Sequence, residues 1–193
     1  MKNNYLENIS FENINYTLSH LESGDYEQCT FKNCDFSNTD LSGIRFTDCE
    51  FIACNLSMAN LTKTAFRNIK FVDCKMLGLL FESCNEFGLS FYFENCSLNH
   101  ASFYGTKIRK TKFKSTQLHE VDFTTCDLSY AVFDDCDLSG STFDKTILEH
   151  ADFRSAIHYS IDPEINYLTK AKFSIFGIPG LLEKYDIVIE ITN

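Results

Sequence analysis

The sequence predicts an all-β solenoid built from four-sided coils and closed at its C-terminal end by a short helical and strand cap. Three observations predict it: large apolar residues recur at a strict period of five, a small inward residue stands two places before most of them, and phenylalanine recurs every twenty residues along one wall.

The period comes first. Every fifth residue from Leu6 through Phe11, Tyr16 and Leu21 to Phe81 is large and apolar, and after a slip of two residues the series resumes from Phe93 to Phe153. Neither an amphipathic helix, with a period near 3.6, nor a strand, with a period of 2, sustains such a pattern. The residue two before the centre is small or apolar, as at Cys29, Cys34, Cys49, Cys54, Ala59, Ala101, Val121, Ala131 and Ala151. The other three places hold mostly Asp, Asn, Ser, Thr, Lys or Glu. Two residues therefore point inward and three outward. A chain that turns after each five closes a coil of about twenty residues, and such coils stack at roughly 4.8 Å.

Side chains twenty apart then lie above one another. One wall carries Phe11, Phe31, Phe51, Phe71, Phe93, Phe113, Phe133 and Phe153, provided that the slip is a bulge and not a restart. The bulge lies within 84–92, where Glu86 takes a nominal centre and Gly88 permits unusual backbone angles. It reads either as a tolerated insertion or as a loop that contacts a partner.

The nine cysteines share the small inward slot, and Cys34, Cys54, Cys74 and Cys96 form one ladder with Thr116 and Cys136 beyond. They read as core filler. A linear wall offers no tetrahedral zinc site, burial raises a thiol's pKa, and a reducing compartment disfavours disulfides. His20, His100, His119 and His150 fall at outward places without a Ser/His/Asp or Cys/His arrangement, and no Gly-rich phosphate loop is present. The expectation is a protein that is not an enzyme and takes no cofactor or metal.

The 193 residues suit one domain, and the net charge of −10 disfavours direct nucleic-acid binding. The first residues hold no apolar stretch fit for a signal peptide and no apolar run approaches membrane-spanning length, which places the protein in the cytoplasm. The repeat is read over 1–156 and the cap over 157–193. Asp162-Pro163 reads as a capped helical turn, Pro179 as the start of a brief helix through Leu181, Leu182 and Tyr185, and Ile187-Val188-Ile189 as a strand. The apolar excess between Ile175 and Ile191 exceeds what closure needs, so Ile178, Leu181, Leu182 and Tyr185 are candidates for a homodimer contact.

The motifs "CDLSY" at 126, "CDLSG" at 136, "ANLTK" at 59 and "ADFRS" at 151 resemble the pentapeptide-repeat proteins, and the resemblance implies a right-handed quadrilateral β-helix. The tail, with "DPEIN" after the last coil, resembles the Qnr-type quinolone-resistance and microcin self-immunity proteins, without the long inserted loops that some of the former carry. That resemblance implies a dimeric, acidic DNA mimic acting on DNA gyrase, a type II topoisomerase. Residues 119–152 carry a net charge of −8 after a basic block of Lys107, Arg109, Lys110, Lys112 and Lys114. Asp122, Asp127, Asp134, Asp135 and Asp137 are the candidate partner-binding residues, all expected to face outward. The acids fall on all four walls, so an interaction scaffold unrelated to DNA topology stands as the alternative.

Overall fold

The structure, a computed structural model, describes residues 4–190, so Ile191 of the expected apolar tail lies outside the described residues. Among the described residues eleven short strands form: β1 (Asn4–Glu7), β2 (Ser10–Glu12), β3 (Gly24–Glu27), β4 (Thr30–Lys32), β5 (Arg45–Thr47), β6 (Glu50–Ile52), β7 (Ala65–Arg67), β8 (Ile69–Val72), β9 (Phe91–Glu94), β10 (Lys112–Lys114) and β11 (Val132–Asp134). All pair in parallel, in two sheets of order β1-β3-β5-β7 and β11-β10-β9-β8-β6-β4-β2. Phe31 lies opposite Phe51, and across the slip Phe71 lies opposite Phe93. Two further walls are held by isolated parallel bridges such as Asn15 with Asp35 and Asp122 with Thr142. The result is a parallel β-solenoid with four walls.

The turn after every five residues has a local cause. The second residue past nearly every centre adopts the left-handed conformation, from Asn8, Asn13 and Gln28 to His150 and Lys170. Asn and Asp tolerate this region best, since a short polar side chain offsets the cost of the crowded Cβ. Gly78 occupies it at φ 63°, where a Cβ would meet the Met58 sulfur at 2.5 Å. The acid or amide before the centre supports the next corner: Asp35, Asp40, Asn60, Asp122 and Asp137 each accept the backbone N–H two residues on, at 2.8–3.1 Å. Much of the repeat's Asp and Asn is therefore turn chemistry.

The core is the stacked centres. Rings of the phenylalanine column lie 4.5–5.4 Å apart from Phe11 to Phe173, nearly parallel. Each such pair is worth about 0.5–1.5 kcal/mol beyond its burial. All nine cysteines are buried free thiols in the inward slot. Seven of them donate to carbonyls, as Cys54 does to Phe31 O at 3.3 Å and Cys136 to Phe113 O at 3.4 Å. Burial pushes the Cys49, Cys84, Cys126 and Cys136 thiols up to about 12.

Two expectations are corrected. The coil does not end at 156: Tyr167 bridges Ile147, Lys172 bridges Asp152, and Phe173 stacks on Phe153 at 5.3 Å. The inward slot there holds Asn166, whose amide donates to Phe143 O at 3.0 Å and accepts the Thr146 N–H at 2.9 Å, so hydrogen bonds replace the apolar filler that the period-five reading sought. Asp162 caps a turn that begins at Pro163, accepting the Glu164 N–H at 2.8 Å. No strand forms at Ile187-Val188-Ile189; Val188 is 87% exposed. The end of the coil is taken instead by α1 (Pro179–Leu182), flanked by 3₁₀ turns at Ile175–Gly177 and Glu183–Tyr185, and Gly180 O receives the Ile161 N–H at 2.8 Å. Among the described residues no helix is long and apolar enough to cross a membrane.

Candidate partner-binding surface

Each wall is named by its centre column: the first by Leu6, Tyr26 and Phe46, the second by the phenylalanine column, the third by Tyr16, Phe36 and Leu56, and the fourth by Leu41, Leu61, Phe81, Phe103, Phe123 and Phe143. On the first two walls some acids are paired with bases from neighbouring coils. Arg45 pairs with Asp25, Lys70 with Glu50 at 2.6 Å and Lys114 with Glu94 at 2.7 Å. The stacking puts a base twenty residues from an acid directly beside it, a signal present in the sequence and visible only once the coil length is known.

The five candidate aspartates do not form one surface. Asp122 is on the fourth wall, Asp127 on the first, Asp134 and Asp135 on the second, and Asp137 on the third. Asp127 departs from the outward-facing expectation, being only 3% exposed. Its carboxylate accepts from Arg109 Nε at 2.7 Å, from the Ser129 N–H at 3.1 Å and from Ser129 Oγ at 2.6 Å. Burial alone would raise its pKa, but these bonds outweigh it and hold the carboxyl below the usual carboxylate range. The reason is the coil: Arg109 projects from the preceding rung and covers Asp127. Asp137 is half-buried between His119 Nε2 at 3.1 Å and His158 Nδ1 at 3.0 Å, and Ser139 and the two imidazoles overcome burial to lower its pKa. Asp134 and Asp135 are exposed. Of the basic block, Arg109 and Lys114 are committed to Asp127 and Glu94. Among the described residues no group of three or more His, Cys, Asp or Glu is placed to hold a metal.

The fourth wall differs. Asp40, Glu82, Asp122 and Asp144 lie along it, and among the described residues none forms an ion pair. Half-way along this wall the bulge projects at its edge: Glu86, Phe87 and Gly88 are exposed, Leu89 turns inward, and Gly88 has φ 75°. Phe87 is 73% exposed, and the Arg67 guanidinium covers one ring face at 5.5 Å. Leu80 and Tyr104, both half-exposed, flank the bulge on the same wall. Sequence reasoning placed the bulge but missed Glu82, Asp144, Leu80 and Tyr104, which a separate reading of each wall would have gathered.

At the C-terminal end, Ile178, Leu181 and Leu182 are half-buried, Leu181 against the core, and exposed Tyr185 donates to Glu164 Oε1 at 2.9 Å. The most exposed apolar residues at this end are instead Ile175, Phe176 and Val188, at 77–87%.

The family model described as the pentapeptide repeat region matches residues 24–91 and 81–153, most of the coil. The chain belongs to the pentapeptide-repeat family. No curated protein matches it in sequence. Among solved structures it is similar to full-length QnrB1, a plasmid-mediated fluoroquinolone resistance protein, at 20% identity over 95% of this chain and 100% of that one, with a TM-score of 0.60. HetL, a pentapeptide repeat protein involved in heterocyst differentiation regulation from the cyanobacterium Nostoc, is 18% identical over 87% of this chain and 86% of that one, with a TM-score of 0.43. At such identity the QnrB1 likeness shows the fold.

Proposed function

We propose that this pentapeptide-repeat protein is a non-catalytic rod that binds a type II topoisomerase such as DNA gyrase, presenting carboxylates where a DNA duplex presents phosphates. The observation that carries the reading is the fourth wall, where Asp40, Glu82, Asp122 and Asp144 form no ion pair among the described residues, while Asp25, Glu50 and Glu94 on the first two walls are each paired with a base from the next coil. A basic saddle that accepts DNA meets a matching potential there. The fold likeness to a fluoroquinolone resistance protein supports a partner among the enzymes on which those drugs act. The buried thiols, pushed far above neutral pH, support a role without nucleophilic catalysis. A scaffold unrelated to DNA topology is favoured by one observation: Asp134 and Asp135 face outward on the second wall, away from the fourth.

The test is gyrase supercoiling and DNA displacement with purified protein. Micromolar protein is expected to alter supercoiling and to compete with DNA, less so as salt rises and screening shortens the reach of exposed charge to about 8 Å. Asp40→Asn, Glu82→Gln, Asp122→Asn and Asp144→Asn together should weaken binding at least about tenfold, a loss of roughly 1.4 kcal/mol. Asn preserves the acceptor for the Ser42 and Thr124 N–H groups, so the corners survive. No effect of the wild-type protein, or equal binding by the variant, favours the scaffold.

A homodimer through the C-terminal end belongs to the same proposal, supported by the exposed Ile175, Phe176 and Val188. Light scattering is expected to give twice the monomer mass for the wild type and the monomer mass for Phe176→Lys with Val188→Lys. A wild-type monomer at tens of micromolar removes the dimer.

A further inference from the structure

We propose that the cavity under the bulge is an anchor site for an arginine side chain on the surface of the bound partner, a proposal that rests on the fourth wall being the docking wall. The cavity holds about 350 Å³ beside the wall's midpoint, between Phe81, the bulge and the next coil. Its floor is apolar, with Phe81 fully buried. Its sides are two aromatic rings left half or more exposed, Phe87 and Tyr104. Glu82, Glu86 and Lys107 also line it, all three exposed and, among the described residues, none in an ion pair.

This combination selects among side chains. An exposed phenylalanine beside a cavity invites an apolar group, yet two unneutralised carboxylates make a purely apolar guest costly, because it would strip their water without replacing it. An ammonium group satisfies the charge but is a compact, strongly hydrated point that gives up its water reluctantly. A guanidinium satisfies both demands: it is planar and weakly hydrated, it stacks on aromatic faces, and its donor fork matches a carboxylate while its methylene stem lies along apolar surface. The molecule already uses that contact once. Arg67, outside the cavity lining, lies over Phe87 at 5.5 Å. Its side-chain carbons lie 3.6–3.7 Å from where a Cβ on Gly88 would stand, so the bulge is braced from behind. The wall on either side continues acidic, with Asp40 on one flank and Asp122 and Asp144 on the other, which draws a basic partner surface toward the cavity.

The experiment uses the full chain and needs no topoisomerase. In ¹H–¹⁵N correlation spectra, titration with N-acetyl-arginine amide at millimolar concentration should give saturable shifts at Phe87, Gly88 and Tyr104. N-acetyl-citrulline amide, the neutral isostere, should give none. Glu82→Gln with Glu86→Gln should abolish saturation while the remaining resonances stay in place, since both side chains are exposed. Phe87→Ala should weaken the response at least about fivefold, roughly 1 kcal/mol for a cation–π contact. Absence of shifts with the arginine probe, equal shifts with citrulline, or saturation unchanged in either variant overturns the proposal. A protein that alters supercoiling but ignores the arginine probe keeps its proposed function and loses this anchor; one that binds the probe without touching gyrase keeps the anchor and loses the topoisomerase.

Discussion

Replacing Cys54 by Asp should lower the unfolding free energy by about 4 kcal/mol at neutral pH, a large part of the roughly 5–15 kcal/mol that holds a domain folded. Cys54 is 1% exposed in the third-wall ladder, between Cys34 and Cys74. Full burial raises a carboxyl pKa by up to about 3–5 units, of which the roughly 3 units between the unfolded value and neutral pH count there, at about 1.36 kcal/mol each. The sign gives a second reading. The buried Asp would be more basic folded than unfolded, so its penalty is greatest well above the unfolded carboxyl pKa near 4 and fades below it. The variant should therefore recover stability on acidification relative to wild type. Cys54→Thr should cost little, because Thr116 already fills this slot and donates its hydroxyl to Lys114 O at 2.9 Å. Urea denaturation at neutral and acidic pH measures all three proteins. A stable Cys54→Asp at neutral pH would mean that the slot is open to water.

Asp127→Ala should cost about 1.5–3 kcal/mol, the range for hydrogen bonds to a charged group, whereas Asp134→Ala should stay within about 0.5 kcal/mol. Asp127 holds Arg109 and both donors of Ser129, while Asp134 is exposed. The Asp127 carboxyl is depressed in the folded state, so its contribution is present above the unfolded carboxylate pKa near 4 and is lost as pH falls through the folded value. Wild type and variant should converge at acid pH. Equal effects of the two substitutions at neutral pH would sink the distinction between a structural and a surface carboxylate.

The fold was legible because the repeat states it many times over. One apolar centre is weak evidence, but the Phe11 to Phe153 series leaves one coil length that stacks its eight phenylalanines in one inward column, and the slip near Gly88 is absorbed without disturbing the column. The end of the coil was less legible. Asn166 enters the core only because its amide reaches Phe143 O and the Thr146 N–H, partners defined by the previous coil. The tail at Ile187-Val188-Ile189 reads as a strand by composition, but a strand needs an edge, and α1 has occupied it.

The sequence by itself determined the period, the inward slot of all nine cysteines, the phenylalanine wall and the position of the bulge. These follow from which side chains avoid water, a property that each residue carries with it. Only the tertiary structure decided which acids are free. Asp127 and Asp122 are alike in the repeat, each before a centre and each accepting the N–H two residues on. Stacking sets Arg109 over the first and no base over the second. Charge acts between neighbours in space, and in a solenoid those neighbours stand a whole coil away along the chain.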